Sequence, residues 1–246
     1  MTSRPAAGGG RWVSVAPERL AGWLRGFAER HGPPAVSAGS ATVVLRGADG
    51  ELAECHVPFP PLAVGRDGEG LESDTIIPGG GGFDPLLEPH TAALVEHALR
   101  PRRVGVVLVR LGGHAVGVFE GAELVVSKVG ARLVQGRTAA GGWSQRRFAR
   151  RRANQAAQAR ESAADTVARV LVPHLDGLAG VVLGGDRRSV EVLRGDRRLS
   201  GVFAREVGDF LPVPDPRLQV LADTPRLFRA VKVRLTAPGE NGADPL

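Results

Sequence analysis

The sequence predicts mixed α and β structure, with a small N-terminal α+β unit followed by a larger α/β domain. Runs of four to nine mostly apolar residues, typical of strands, alternate with segments whose apolar residues recur every three to four positions, as in amphipathic helices. A stretch rich in glycine and proline, residues 61–88, separates the two parts and has the composition of a linker. We therefore expect the N-terminal unit to span residues 11–60 and the second domain to span residues 89–237.

The N-terminal unit combines one helix with a pair of strands. A helix is predicted over residues 17–31 because apolar residues follow the i, i+3, i+4, i+7 pattern, with a proline in the first turn and Gly32 as the stop. Two strands follow at residues 41–46 and 51–58, joined by a turn that contains Asp49-Gly50, a dipeptide that favours a tight reversal. We assign no function to any motif in this unit.

The second domain is predicted to contain a three-stranded meander, a long helix and a further strand. Glycine-containing turns separate the three apolar runs of the meander, which favours antiparallel pairing. The predicted elements, in chain order, are a helix at 89–99, strands at 103–111, 115–120 and 123–129, a helix at 144–172, and a strand at 180–183 that leads into a short helix ending at 193. This order of elements is that of a ribonuclease-H-like α/β domain.

Length and composition exclude several classes of protein. The chain has 246 residues and a single cysteine, so it forms neither an intramolecular disulfide nor a zinc ribbon. Its longest apolar stretch, residues 104–109, is far too short to span a bilayer, and the first ten residues lack the apolar core of a signal peptide. We therefore expect a soluble, cytoplasmic protein. No His and Cys residues have the spacing of a metal site, and we expect neither a metal nor a cofactor.

Positive charge is concentrated in one segment of the chain. The net charge is +6, and residues 128–160 contain nine Lys and Arg and no Asp or Glu. Outside this segment, the 23 remaining cations are outnumbered by 26 carboxylates. Such a local excess indicates a polyanion that docks at one place. Nucleic acid is the first candidate, and an anionic membrane surface fits less well because the long helix offers little bulky apolar surface to insert.

The first turns of the long helix are unusually rich in arginine. Five arginines without a carboxylate lie within residues 145–152: Arg146, Arg147, Arg150, Arg151 and Arg152. They repel one another and lie at the end of the helix where the macrodipole disfavours cations. A solvated helix end is the ordinary explanation for a run of charge, but this local cost favours a partner that carries phosphate, to which guanidinium is geometrically matched.

A glycine-containing loop precedes these arginines, and residues 136–145 have the sequence GRTAAGGWSQ. Gly141-Gly142 gives the backbone conformations closed to other residues, and Ser144 is suited to cap the helix. Gln145 then lies at an exposed junction of loop and helix. A glutamine is not a general base near neutral pH, but its side chain and backbone amide can orient water and donate to a developing oxyanion. This chemistry suits hydrolysis of an activated ester.

The loop and the helix after it resemble a known family. A Gly-Gly pair followed closely by Gln, between a meander and a long basic helix, is similar to the catalytic loop of eukaryotic-type peptide-release factors. The spacing Gly-Gly-Trp-Ser-Gln and the arginine-rich run after it resemble, more specifically, the actinobacterial Vms-like release factors. The resemblance covers residues 89–235 and is sharpest over residues 136–155. Release factors proper have the two glycines directly before Gln, whereas Trp143 and Ser144 intervene here.

The resemblance implies a codon-independent peptidyl-tRNA hydrolase that releases nascent chains from obstructed large ribosomal subunits. Its catalytic loop would contain Gln145, Gly141 and Gly142. Its partners would be the large ribosomal subunit, peptidyl-tRNA and ribosomal RNA, with no membrane and no DNA. The residues expected to bind RNA are Arg137, Trp143, Arg146, Arg147, Arg150, Arg151 and Arg152. For Trp143, stacking on a base and anchoring of the loop are both open.

The two alternatives to hydrolysis are a nuclease and a non-catalytic binding factor. A nuclease on this fold would need clustered carboxylates for divalent metal, and the predicted meander offers only Glu120 and Glu123, near turns. A non-catalytic ribosome-binding or tRNA-binding factor would use the same arginines and loop, with Gln145 in contact with RNA and no chemistry. The sequence alone is compatible with both this binding function and hydrolysis.

Overall fold

The computed structural model describes residues 3–6, 8–63, 83–110, 112–131 and 144–239, with the side chains of residues 3, 144–149 and 152 outside the description. The strands in these ranges are β1 (Ser3–Pro5), β2 (Arg11–Val15), β3 (Ala35–Ala38), β4 (Thr42–Arg46), β5 (Leu52–His56), β6 (Arg103–Arg110), β7 (Gly113–Glu120), β8 (Glu123–Ala131), β9 (Gly180–Gly185) and β10 (Val231–Thr236). The α-helices are α1 (Leu20–His31), α2 (Pro89–Leu99), α3 (Ser144–Leu171), α4 (Arg187–Arg194), α5 (Ser200–Phe203), α6 (Leu218–Ala222) and α7 (Pro225–Phe228). Short 3-10 helices are formed by Pro17–Arg19, Val172–Gly177 and Arg197–Leu199.

The chain divides into two compact units, of which the first joins Met1–Arg100 to Arg229–Leu246. Its sheet is antiparallel and has the strand order β1-β2-β10-β5-β4-β3. Helices α1 and α2 share one hydrophobic core with this sheet, in which Phe27 and Leu94 are fully buried. The predicted helix and hairpin are confirmed, and Gly50 takes the left-handed φ of 87° that the turn between β4 and β5 requires.

This division differs from the sequence expectation of units at 11–60 and 89–237. Helix α2 belongs to the first unit, and β10 lies in the middle of its sheet, between β2 and β5. Val233 of β10 pairs with Val13 on one side and with Cys55 on the other. Partners so far apart in sequence are selected by tertiary pairing, which a local hydrophobic pattern does not encode. Of the expected linker, residues 64–82 lie outside the described residues.

The second unit, Pro101–Phe228, has a four-stranded sheet with the order β8-β7-β6-β9. Strands β6, β7 and β8 form an antiparallel meander, and β9 runs parallel to β6 after the crossover that contains α3. Beyond the four strands, Val181 and Gly184 of β9 form isolated parallel bridges to Glu206 and Leu211. The meander, the crossover helix and the parallel strand confirm the predicted ribonuclease-H-like order of elements.

Among the described side chains of α3, those of the second half form part of the core of the unit. No described side chain from Arg150 to Glu161 is buried. Burial begins at Ala163 and includes Val167 and Leu171, which share a core with apolar residues of β6, β7 and β9. Helix α3 therefore packs on the sheet mainly through its later turns. That packing also holds the arginine-rich part of the helix, where Arg150 and Arg151 are exposed.

The buried thiol of the single cysteine is expected to make the stability of the first unit depend on pH. Cys55 on β5 is fully buried, and burial raises its pKa to about 12. Folding therefore favours the protonated thiol, so this contribution to stability is complete below about pH 8.5, the pKa in an unfolded chain, and is lost as the pH rises toward 12. Between pH 8 and pH 10, we expect the free energy of unfolding to fall by about 2 kcal/mol more in the wild type than in Cys55→Ala. Urea titrations of both proteins at both pH values measure this difference, and equal losses would contradict it.

Candidate nucleic-acid interface

The predicted catalytic loop lies largely outside the described residues, but the helix that follows it does not. The predicted site residues outside the description are Arg137, Gly141, Gly142 and Trp143 and, for their side chains, Gln145, Arg146, Arg147 and Arg152. Helix α3 begins at Ser144, so the backbone of Gln145 lies in its first turn. The structure therefore places Gln145 at the start of the helix that carries the arginines.

The start of α3 offers backbone hydrogen-bond donors. The first four N–H groups of an α-helix have no partner within the helix, and the macrodipole gives this end a partial positive charge. Gln145 is the second residue of α3, so its N–H is one of these four groups. Such a helix end can donate hydrogen bonds to a phosphate, or to an oxyanion that forms beside it.

The next turns of α3 carry a polar groove. Arg150 and Arg151 are exposed, and neither forms an ion pair with a carboxylate in the described part of the chain. The groove has a volume of about 390 Å³ and is lined by Arg150, Arg151, Asn154, Gln155 and Gln158. Guanidinium groups match phosphate, and side-chain amides both donate and accept hydrogen bonds, which suits the sugars and base edges of RNA.

Arg198, from the turn Arg197–Leu199, compensates the carboxylates of α3. Its guanidinium donates to Oδ1 of Asp165 at 2.7 Å and to Oε1 of Glu161 at 3.2 Å, and it also binds Asp196. Hydrogen bonds to Asp196 and Asp165 raise the pKa of Arg198. Glu161 and Asp165 thus bind a cation from another element of the unit, and neither pairs with Arg150 or Arg151 in the described part of the chain. Sequence reasoning missed Arg198 because no local pattern links it to residues more than thirty positions away.

A buried hydrogen bond fixes the second half of α3 to the sheet. The hydroxyl of Thr166 donates to the carbonyl of Ser162 at 2.9 Å, so His114 on β7 donates from Nε2 to that hydroxyl at 3.0 Å. Gly130 on β8 makes room for the imidazole, since a Cβ there would lie 2.4 Å from Nε2. Burial lowers the pKa of His114, which keeps the ring neutral near pH 7. Sequence reasoning gave His114 no role, because its partner is 52 residues away.

Metal-binding side chains do not cluster in the described ranges. No group of three or more His, Cys, Asp and Glu residues there could hold a metal ion. Glu120 and Glu123 are exposed at the turn between β7 and β8, and Glu120 pairs with Arg103 at 3.6 Å. The nuclease alternative therefore has no carboxylate cluster in this part of the chain to support it. Among the described residues, no helix is long and apolar enough to cross a membrane.

The second unit thus combines a meander, a parallel strand and a long crossover helix whose first turns are basic and exposed. The comparison with known families identifies the class of protein, which is a release factor. The family described as the Actinobacteria/chloroflexi VLRF1 release factor matches residues 102–234, which is more than half of the chain. The chain belongs to this family, and the match confirms the resemblance stated from the loop and helix sequence.

The similar solved structures are distant. The archaeal translation termination factor aRF1 is 18% identical with a TM-score of 0.39, over 52% of this chain and 34% of that one. An archaeal protein is 16% identical with a TM-score of 0.33, over 73% and 48%. Dom34 of S. cerevisiae, a translation termination-like factor involved in RNA quality control pathways, is 10% identical with a TM-score of 0.31, over 91% and 66%. The chain thus spans from about a third to about two thirds of these proteins' lengths. No curated protein sequence matches the chain.

Proposed function

We propose that this protein is a codon-independent peptidyl-tRNA hydrolase that releases nascent chains from obstructed large ribosomal subunits in the cytoplasm. Membership of a release-factor family supports the class of reaction. The observation that carries the proposal is the position of Gln145 in the first turn of α3, directly before the arginines of that helix. At this position the amide of Gln145 would meet the ester close to the cations that would bind the RNA part of the substrate.

The reaction is the attack of water on the ester that joins the peptide to the terminal ribose of tRNA. The bond between the carbonyl carbon and the ribose oxygen breaks, the peptide leaves with a new carboxyl group, and the ribose oxygen gains a proton. Negative charge develops on the carbonyl oxygen, where the amide of Gln145 and the free N–H groups of the first helical turn would donate. Gly141 and Gly142 would let the loop backbone approach the ester closely. Because an amide takes up no proton near neutral pH, Gln145 orients water and does not deprotonate it.

The cations around Gln145 would position the RNA. Arg150 and Arg151 lie about 8–9 Å from Gln145 along the helix axis, at 1.5 Å per residue, and their exposed guanidiniums can reach phosphates close to the ester. The residues proposed to share this role are Arg137, Trp143, Arg146, Arg147, Arg150, Arg151 and Arg152. The partners are therefore the acceptor end of peptidyl-tRNA and neighbouring ribosomal RNA on the large subunit.

The role of the described arginines is tested by the salt dependence of tRNA binding. Replacing Arg150 and Arg151 by alanine removes two phosphate contacts, so the slope of log K against log salt concentration should become shallower by about 1.5. Fluorescence anisotropy with labelled tRNA measures the slope. The double variant Arg19→Ala and Arg226→Ala removes the same charge from two other exposed positions and should leave the slope unchanged. A slope that changes equally in both double variants would show a general charge effect only.

The proposed reaction is tested by the release of a labelled nascent peptide from purified large subunits that carry peptidyl-tRNA. We expect the wild-type protein to bind these subunits and to release the peptide faster than buffer alone. Binding without release would contradict hydrolysis. It would instead support the non-catalytic ribosome-binding or tRNA-binding function, which the groove along Arg150, Arg151 and Asn154 also favours.

A further inference from the structure

A second candidate binding site lies in the second unit, away from the start of α3. It is a cavity of about 320 Å³ lined by residues of α3 and α4, by the end of β6 and the start of β7, and by Asp186 directly after β9. Strands β6 and β9 are parallel, so their carboxyl ends open into the same crevice, which is where sheets with parallel strands commonly bind ligands. Arg160, on its wall, lies 15 residues after Gln145, or about 22 Å along the helix axis.

One wall of this cavity is apolar. The apolar residues that line it come from β6, α3 and α4: Val109, Ala156, Ala159, Ala163, Val192 and Leu193. The three alanines lie on one side of α3 and leave a flat surface without long side chains. Val192 is 45% exposed, which leaves apolar surface facing the cavity and the solvent. A flat apolar group of a ligand would cover this surface and gain free energy from its burial.

The rim of the same cavity is cationic. Arg110, Arg160 and Arg188 line it, and neither Arg160 nor Arg188 forms an ion pair with a carboxylate in the ranges that the structure describes. Arg110 donates to the carbonyl of Val213 at 3.1 Å and lies 3.5 Å from Oδ1 of Asp215. Two guanidiniums at the rim are thus uncompensated, which favours a ligand with a phosphate group.

The acidic residue that lines the cavity is already engaged. Asp186 caps α4, where its Oδ2 accepts from the backbone N–H of Ser189 at 2.9 Å and from its hydroxyl at 2.6 Å. These hydrogen bonds, led by the one from the hydroxyl, lower the pKa of Asp186. The carboxylate therefore serves the helix, and Arg160 and Arg188 are left as the charged groups available to a ligand.

We propose that this cavity binds a nucleoside 5′-phosphate, with the base against the alanines of α3 and the phosphate between Arg160 and Arg188. A volume of about 320 Å³ is at the lower end of ligand pockets and suits one nucleotide. The nucleotide has two possible sources with the same chemistry, a free nucleotide or one unpaired residue of an RNA strand. This inference goes beyond peptide release and concerns residues that the proposed hydrolysis does not use.

Calorimetric titration of the full chain with AMP, and with a single-stranded oligoadenylate of five residues, tests the proposal. The variant Ala159→Leu fills the apolar wall without a change of charge, and the double variant Arg160→Ala and Arg188→Ala removes the cations. Both should weaken binding at least about tenfold, because the base or the phosphate then loses its contacts. The double variant Arg19→Ala and Arg226→Ala has the same charge as the second variant and should bind as the wild type does. Thermal melting of each variant establishes that it is folded, and Ala156→Leu replaces Ala159→Leu if the latter is not.

Each outcome of this titration decides the proposal. Cavity-dependent binding of AMP supports it with a free nucleotide as the source, and cavity-dependent binding of the oligonucleotide alone supports it with an RNA strand as the source. Failure of both probes to bind the wild type at millimolar concentration overturns it. Equal binding by the wild type and both cavity variants also overturns it. Since no ribosome is present, this result is independent of the peptide-release assay.

Discussion

Replacement of Gln145 by alanine is expected to lower the rate of peptide release about 100- to 1,000-fold, while binding to the large subunit stays within about twofold. The reason is that the side-chain amide is proposed to donate to charge that develops only in the transition state, so its loss affects the chemical step and not the bound state. The backbone N–H groups at the start of α3 remain in this variant, which leaves some stabilisation of the oxyanion. Single-turnover release from purified large subunits, with subunit binding measured in parallel, gives both quantities.

A matched control is available on another helix. Gln219 on α6 is exposed, and Gln219→Ala is the same chemical change. We expect this variant to release peptide at the wild-type rate, within about threefold, because Gln219 lies outside α3 and outside the groove that is proposed to bind RNA. Full release by Gln145→Ala would exclude the proposed role. Equal losses in the two variants would show that the effect is not specific to the start of α3.

Truncation of Leu171 to alanine is expected to lower the free energy of unfolding of the second unit by about 2–5 kcal/mol. Leu171 is fully buried at the end of α3 and packs over Gly105 of β6, where a Cβ would lie 3.3 Å from its Cδ2. Removal of its methyl groups leaves a cavity at the contact that holds the helix to the sheet. The expected loss is a large part of the 5–15 kcal/mol that typically stabilises a domain.

Urea titrations followed by circular dichroism measure this loss. Leu218 on α6 is 54% exposed, so Leu218→Ala is the same substitution outside the core and should cost less than about 0.5 kcal/mol. A shift of the unfolding midpoint that is equal in the two variants would contradict the assignment of Leu171 to the core. As temperature rises, the rate of peptide release by Leu171→Ala should fall below that of the wild type. The reason is that the helix that carries Gln145 depends on this packing.

Local patterns predicted the elements of the second unit well. The long helix was expected at 144–172 and spans Ser144–Leu171, because its helical period and the proline after it are properties of neighbouring residues. The three strands of the meander were found for the same reason, since alternating apolar runs and glycine turns are local signals. The fold class therefore followed from the sequence.

Long-range partners were not predictable in the same way. No strand was predicted after residue 183, and residues up to 237 were assigned to the second domain, whereas Val231–Thr236 pairs within the sheet of the first unit. The partners of Arg198 and His114 also lie on other elements. For the candidate site, the sequence predicted the arginine cluster that contains Arg150 and Arg151, whereas the cavity beside Arg160 depends on helices and strands that meet only in the folded chain. The chemical roles of Gln145 and of the arginines remain predictions.

The central position of β10 determines the order in which the two units can reach their final form during synthesis. The second unit is continuous in sequence, so all its strands have been made once residue 228 leaves the ribosome. The first unit is interrupted, and its β2 and β5 have no strand between them until Val231–Thr236 has also emerged. Closing that sheet requires contacts across more than 170 residues, which is a slow kind of step. The sheet of the first unit therefore cannot close until every element of the second unit has been synthesised.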